Sequence, residues 1–135
     1  MLRRALEYLA LKGRHSLLSD RQILRRLEVS VLCVNDGGMR RLNRLYRGMG
    51  KTTDVLSFPL QPSKKLKLLS LGDIVISLPQ ARRQAKEYKT TFNLELSRLL
   101  VHGLLHLLGY DHEKNRYQAL KMRRMEAELA EVLCR

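Results

Sequence analysis

The sequence predicts an α+β fold in a single domain, residues 1–135, with a small central mixed β-sheet of three to four strands covered by helices. Three observations carry this. Runs rich in β-branched and apolar residues occur at 27–34, 54–58 and 71–77, each short enough to be one strand. Segments before, between and after them repeat apolar residues at helical spacing. The resulting order is helices, strand, helix, two strands and three helices, which layers helices on a sheet. There is no internal repeat and no low-complexity segment, and a chain of 135 residues can bury a core without disulfide staples.

Taken in order, residues 2–12 form an amphipathic helix with Leu2, Ala5, Leu6 and Leu9 on one side. A second short helical turn runs to Arg26, with Ser19 as its N-cap. Residues 27–34 are the first strand, ended by Asn35-Asp36-Gly37-Gly38. Residues 39–46 make a basic helix, with Leu42 and Leu45 inward and Arg40, Arg41 and Arg44 outward. After a loop at 48–51, residues 54–58 form a strand stopped by Pro59. Residues 61–67 are polar and basic and read as a mobile loop, too short to divide two domains. The third strand is 71–77, centred on Ile74, Val75 and Ile76. Ser77 and Gln80 have capping-box spacing, and Pro79 suits the first turn of a helix ending near Thr90. Another helix starts around Asn93. The last runs over 114–133, with Leu120, Met125, Leu129 and Val132 as its apolar stripe.

Lys and Arg total 26 against 13 Asp and Glu, a net charge of +13. Such an excess attracts phosphate backbones and speeds encounter with them; an acidic membrane surface is the rival explanation. The longest apolar runs fall well short of a bilayer span, and no membrane association is expected. Glu7 and Tyr8 interrupt the apolar part of the first segment, which therefore reads as a helix of the domain and not as a signal peptide. Cys33 lies in a strand pattern and reads as an inert buried thiol; Cys134 is far from it. With no disulfide framework, a reducing cytoplasm fits. The 5 Tyr, 2 Phe and absence of Trp disfavour an extensive base-stacking platform and fit a groove that reads backbone.

The chemistry concentrates in Val101-His-Gly-Leu-Leu-His-Leu-Leu-Gly-Tyr-Asp-His112. His102 and His106 lie four apart and share a helix face, one turn apart. Gly109 can adopt a left-handed conformation, end the helix and return the chain, bringing His112 towards the pair. A lone histidine on an apolar face is usually a core residue, but here three of the four in the chain fall at ligand spacing. Three neutral imidazoles suit one Zn²⁺ per chain and leave a fourth position for water or substrate. The metal site thus sits on a helix and the turn after it. The fourth histidine, His15, reads as a solvated surface residue. The spacing matches the extended zinc-peptidase motif except at Gly103, where those enzymes carry the glutamate base. The ligands are present and the peptidase base is missing, which argues for a different substrate.

These histidines followed by Tyr110-Asp111, with Tyr46-Arg47-Gly48, Thr53-Asp-Val-Leu-Ser-Phe-Pro59 and Gly72-Asp-Ile-Val-Ile76, occur in a fixed order that closely resembles the YbeY family of metal-dependent endoribonucleases. The match runs from about Leu27 to the last helix. The resemblance implies one α+β domain with a sheet of about four strands, zinc on His102, His106 and His112, and an arginine facing the metal cleft at Arg47. It implies single-stranded RNA as substrate, with action in the maturation of the 3′ end of 16S ribosomal RNA and in ribosome quality control. The partners it implies are the ribosome or its small subunit, not DNA. Family members often begin with an additional strand, whereas this chain starts in the helix, so one strand fewer is expected.

A bound Zn²⁺ with an open position lowers the pKa of its water to around 7, which makes the loss of a protein base tolerable. Arg47 would bind phosphate through two parallel hydrogen bonds. Whether the nucleophile is that water or the ribose 2′-hydroxyl stays open. Arg44 and Lys51 are the further substrate-binding candidates, with Arg40, Arg41, Arg82, Arg83 and Lys86 as a wider RNA-tracking surface. Asp111 and Glu113 could orient an imidazole, though Asp111 equally suits the N-cap of the last helix. Asp54 and Asp73 lie at or in strands leading to the cleft and could equally be bonding backbone at turns. Two alternatives remain: a zinc hydrolase of peptides or small amides, and a non-catalytic ribosome-associated factor with structural zinc.

Overall fold

The computed structural model describes residues 1–12, 16–60 and 69–133. His15, the basic stretch 61–67 and Cys134 lie outside them. Strands β1 (Leu27–Val34), β2 (Val55–Pro59) and β3 (Leu69–Ser77) form one sheet in the order β1-β3-β2. The sheet is mixed: β3 runs parallel to β1 and antiparallel to β2. Its central place explains why β3 is nearly all buried while β1, at an edge, is mostly exposed. The expectation for Cys33 is overturned for that reason: it lies exposed near the end of the edge strand.

Six α-helices are described: α1 (Leu2–Leu11), α2 (Arg21–Arg26), α3 (Asp36–Arg47), α4 (Leu78–Glu87), α5 (Phe92–Leu107) and α6 (Arg116–Leu133). A 3₁₀ turn, Ser16–Ser19, precedes α2. The α+β expectation holds. Among the described residues no helix is long and apolar enough to cross a membrane.

Helix α5 packs on β2 and β3 and touches α1, α4 and α6. The main core joins Leu71, Ile74 and Ile76 of β3 to Leu99, Leu104 and Leu105 of α5. On the other face Met39 of α3, Leu56 and Val75 form a smaller core. A β-bulge makes this arrangement possible. Glu28 pairs with Ser70 and Val29 with Gly72, so Leu71 is the extra residue between them. The inserted residue shifts the side-chain alternation by one, so Leu69 and Leu71 share the main core with Ile74 and Ile76. Gly72 holds the bulge at φ 128°, where a Cβ would stand 2.1 Å from the Phe58 carbonyl oxygen. Only glycine fits there.

Several boundaries differ from expectation. Asp20, not Ser19, caps α2, accepting from the Gln22 and Ile23 amides. Asn35 caps α3 through the Gly38 amide at 2.8 Å, so the two glycines open that helix instead of separating it from the strand. On α3 the buried residues are Met39 and Asn43, and Leu45 points to solvent at 72% exposure. Pro59 is the last residue of β2, tolerated because β2 is an edge strand. Strand β3 starts at Leu69, two positions early, because the bulge extends the pairing. In α6 the buried stripe is Met122, Met125 and Leu129, while Leu120 is exposed. Ser77 caps α4 as expected, accepting from the Gln80 amide.

Candidate metal centre

Thr91 caps α5 by accepting from the Leu94 amide at 3.1 Å, and the helix carries His102 and His106 one turn apart near its far end. The end is a Schellman motif: the Tyr110 amide donates to the Leu105 carbonyl and the Gly109 amide to the His106 carbonyl, each at 3.0 Å. Gly109 sits at φ 98°, the left-handed turn its position called for. Tyr110 tucks into the core, and Asp111 accepts from the Glu113 amide at 2.9 Å, tightening the turn around His112. Asp111 is therefore not the N-cap of α6; Asn115 holds that place, accepting from the Gln118 amide.

The three rings form a near-equilateral triangle with centroid separations of 4.8, 4.9 and 5.0 Å. One nitrogen from each lies within 4.8 Å of the others, and His112 Nδ1 is 3.0 Å from His106 Nε2. Tetrahedral coordination with Zn–N bonds of about 2.0–2.1 Å needs nitrogens about 3.3 Å apart, so rotations of the rings that draw the wider pairs together would let this donor set hold a divalent ion. Burial, followed by the neighbouring His102 and His112, lowers the pKa of His106, with Asp111 and Glu113 opposing; the neutral, ligating imidazole is favoured.

These rings line a cleft of about 490 Å³ whose other wall carries Arg47, Asp54 and Ser57. Arg47, at the end of α3, reaches across to Glu113, with Nη2 3.5 Å from Oε1. The pair is long and exposed, so it holds the guanidinium loosely. Lys51 lines a second hollow that shares Arg47, Asp54 and Glu113 with the cleft. Arg44 lies against Gly50 and lines neither.

Gly103 has a role that spacing did not reveal. A Cβ there would stand 2.8 Å from Ile74 Cγ2, so α5 lies tight on β3 through this glycine. Ser57 Oγ donates to the Gly103 carbonyl at 3.1 Å, tying β2 to the same point. The position used by zinc peptidases for their base thus faces the sheet, which weakens the peptidase alternative on geometric grounds. Gly103→Ala is expected to destabilise the fold by about 1–3 kcal/mol through overpacking. In an Ile74→Ala background the same change should become neutral or stabilising, because helix propensity then dominates. Urea unfolding of the four proteins checks this; an equal cost in both backgrounds would refute the contact as its cause.

The other candidates separate. Arg40, Arg41 and Lys86 are exposed, and Arg82 lies over the Phe92 ring at 5.1 Å. Arg83 is engaged instead with Asp36, through two contacts of 2.9 Å. That guanidinium, with Ser77 and Thr52, holds the Asp36 carboxyl down at about 2 against the desolvation that opposes it. Asp54 accepts from the Val55 amide and from Gln84, which also bonds the buried Glu95. Asp73 sits exposed in mid-strand, paired with Ser30 and Phe58, away from the cleft. Glu126 of α6 was missed. Its Oε1 lies 2.5 Å from His102 Nδ1, a contact across 24 residues that no local spacing signals.

The family model described as Endoribonuclease YbeY matches residues 3–133. A protein named Endoribonuclease YbeY from Caldanaerobacter subterraneus is 40% identical over 139 residues, covering 95% of this chain and 87% of that relative. One from Persephonella marina is 44% identical over 106 residues, covering 78% and 69%. One from Anaeromyxobacter sp. is 48% identical over 128 residues, covering 94% of this chain and 60% of the relative. The solution structure of TM1509 from Thermotoga maritima matches with TM-score 0.60 and 30% identity, over 96% of this chain and 77% of that one.

Proposed function

The chain belongs to the YbeY endoribonuclease family, and from that premise we propose that it hydrolyses phosphodiester bonds of single-stranded RNA at a zinc centre. Residues 1–135 would act as one metallo-endoribonuclease domain, with one Zn²⁺ on His102, His106 and His112. The observation that carries this reading is the meeting of three imidazoles, with nitrogens within 4.8 Å, in a cleft walled by Arg47. The proposed setting is the cytoplasm, on the small ribosomal subunit, in maturation of the 16S 3′ end and in ribosome quality control.

A bound divalent ion would supply Lewis acidity at phosphorus and a water acidified towards neutral pH. The chain's own residues do the rest. Burial keeps His106 in its neutral, ligating form. Arg47 leaves its loose contact with Glu113 to grip two phosphate oxygens in parallel, neutralising the charge that builds as the bond is attacked. Asp54, held by the Val55 amide and Gln84, shapes the wall. The Ser57 hydroxyl is committed to the Gly103 carbonyl and anchors the same wall. Lys51, in the adjoining hollow, and Arg44, on the outer side of α3, extend the cationic track along the strand, and the net charge of +13 draws the polyanion in.

The test combines elemental analysis of the purified protein with cleavage of one RNA as a single strand and as a duplex, with and without chelator. The expected result is zinc near one per chain, preferential cutting of the single strand, loss of cutting on chelation and its return with Zn²⁺. Cleavage indifferent to chelator would overturn the metal mechanism. Metal-dependent cleavage of a peptide library without RNA cleavage would put the peptidase alternative first.

A further inference from the structure

We propose that Glu126 is a positioning residue for the metal centre: its carboxylate accepts the Nδ1 proton of His102, fixes that tautomer, and leaves Nε2 as the ligand nitrogen. The inference rests on the reading of the three histidines as metal ligands. It is carried by the 2.5 Å approach of Glu126 Oε1 to His102 Nδ1, from a helix that supplies no ligand of its own. A neutral imidazole carries one proton on either nitrogen, and a metal can bind only the bare one. A hydrogen-bond acceptor fixed at Nδ1 settles the choice before the ion arrives and holds the ring plane.

The two carboxylates adjacent to His112 in sequence are otherwise engaged. Asp111 accepts the Glu113 amide, and Glu113 is shared between Arg47 and the flank of His112, 3.9 Å from its Nε2. Glu126 is better placed. Its helix is anchored on either side by buried Met122, Met125 and Leu129. Both members of the pair are largely withdrawn from water, with side-chain exposures of 21% and 22%. Glu126 also lines a separate cavity of about 980 Å³, whose wall mixes apolar Leu94, Val101 and Leu133 with the charged Arg4 and Arg98. Partial burial of the pair strengthens a hydrogen bond that is made and penalises one that is not.

The experiment compares the unaltered chain with Glu126→Gln and Glu126→Ala. Zn²⁺ affinity is measured by competition with a chromophoric chelator, and the His102 tautomer of the metal-free protein by imidazole ¹⁵N–¹H correlation. Loss of such an outer partner typically weakens metal binding by about 10–100-fold. The alanine variant should fall in that range, with the glutamine variant between it and the unaltered chain, because an amide oxygen still accepts but carries no charge. His102 should be the Nδ1–H form in the unaltered chain and a mixture in the alanine variant. A role confined to tying α5 to α6 would lower thermal stability without moving the tautomer or the glutamine variant's affinity, and that pattern would overturn the proposal. Equal Zn²⁺ affinity in all three proteins would overturn it while leaving the metal centre intact. An unaltered chain that takes up no Zn²⁺ would overturn the metal reading and this inference together.

Discussion

His106→Ala is expected to abolish stable zinc binding and to lower cleavage of single-stranded RNA by about 10³-fold or more. The ring is the middle member of the triangle, contributed by the helix and 3.0 Å from His112 Nδ1. Its removal leaves one helical imidazole and one loop imidazole, too few for a catalytic zinc site. A metal ion contributes several kcal/mol of charge stabilisation to hydrolysis, and each 1.4 kcal/mol is about tenfold in rate. The fold should survive, because His106 borders an open cleft and lies outside both apolar cores. Metal per chain and initial rates on an RNA oligonucleotide, with thermal unfolding as control, check the prediction. A variant that loses zinc but cuts RNA as fast as the unaltered protein would assign that activity to a contaminant, and the metal to structure.

The site was legible where its determinants are local. Two histidines four apart, a glycine three further on and a third histidine after another three fix a helix face and a reversal within eleven residues. The backbone then follows the Schellman pattern at Gly109. Strand β1 and the Ser77 cap were legible for the same reason. What was not legible depends on partners distant in sequence. Glu126 meets His102 only because α6 packs beside α5, and Arg83 leaves the set of free cations only because Asp36, 47 residues away, lies beside it. Cys33 has an ordinary strand pattern, and nothing near it says that β1 is an edge.

Gly103 and Gly72 illustrate a further kind of blindness. Each is a glycine because another chain segment comes too close for a Cβ: Ile74 at the first, the Phe58 carbonyl at the second. The missing side chain at Gly103 was visible as a departure from the peptidase motif, but its physical reason is helix-to-sheet packing. The same close contact that excludes the peptidase base places the two helical imidazoles beside the wall bearing Asp54 and Ser57. Packing and substrate class are therefore linked at one residue.

Arg47→Ala should separate metal binding from turnover. The guanidinium lines the cleft and pairs with Glu113, at 3.5 Å with both groups substantially exposed, not with the three imidazoles. Losing so loose a pair costs little stability, and zinc per chain should stay at the unaltered level. The cost should appear in cleavage. Removing one preorganised donor aimed at developing charge typically costs about 10²–10³-fold in turnover, and a loss of about 10²-fold is expected here. Arg47→Lys should recover only part of it, because an ammonium supplies charge without the planar fork that grips two oxygens at once. Rates at saturating RNA distinguish the roles. A rise in KM with turnover unchanged would make Arg47 a docking cation, the role proposed for Lys51, and loss of zinc from the alanine variant would place it in support of the metal instead. A fall in turnover with zinc retained is the outcome that assigns it to the reacting phosphate.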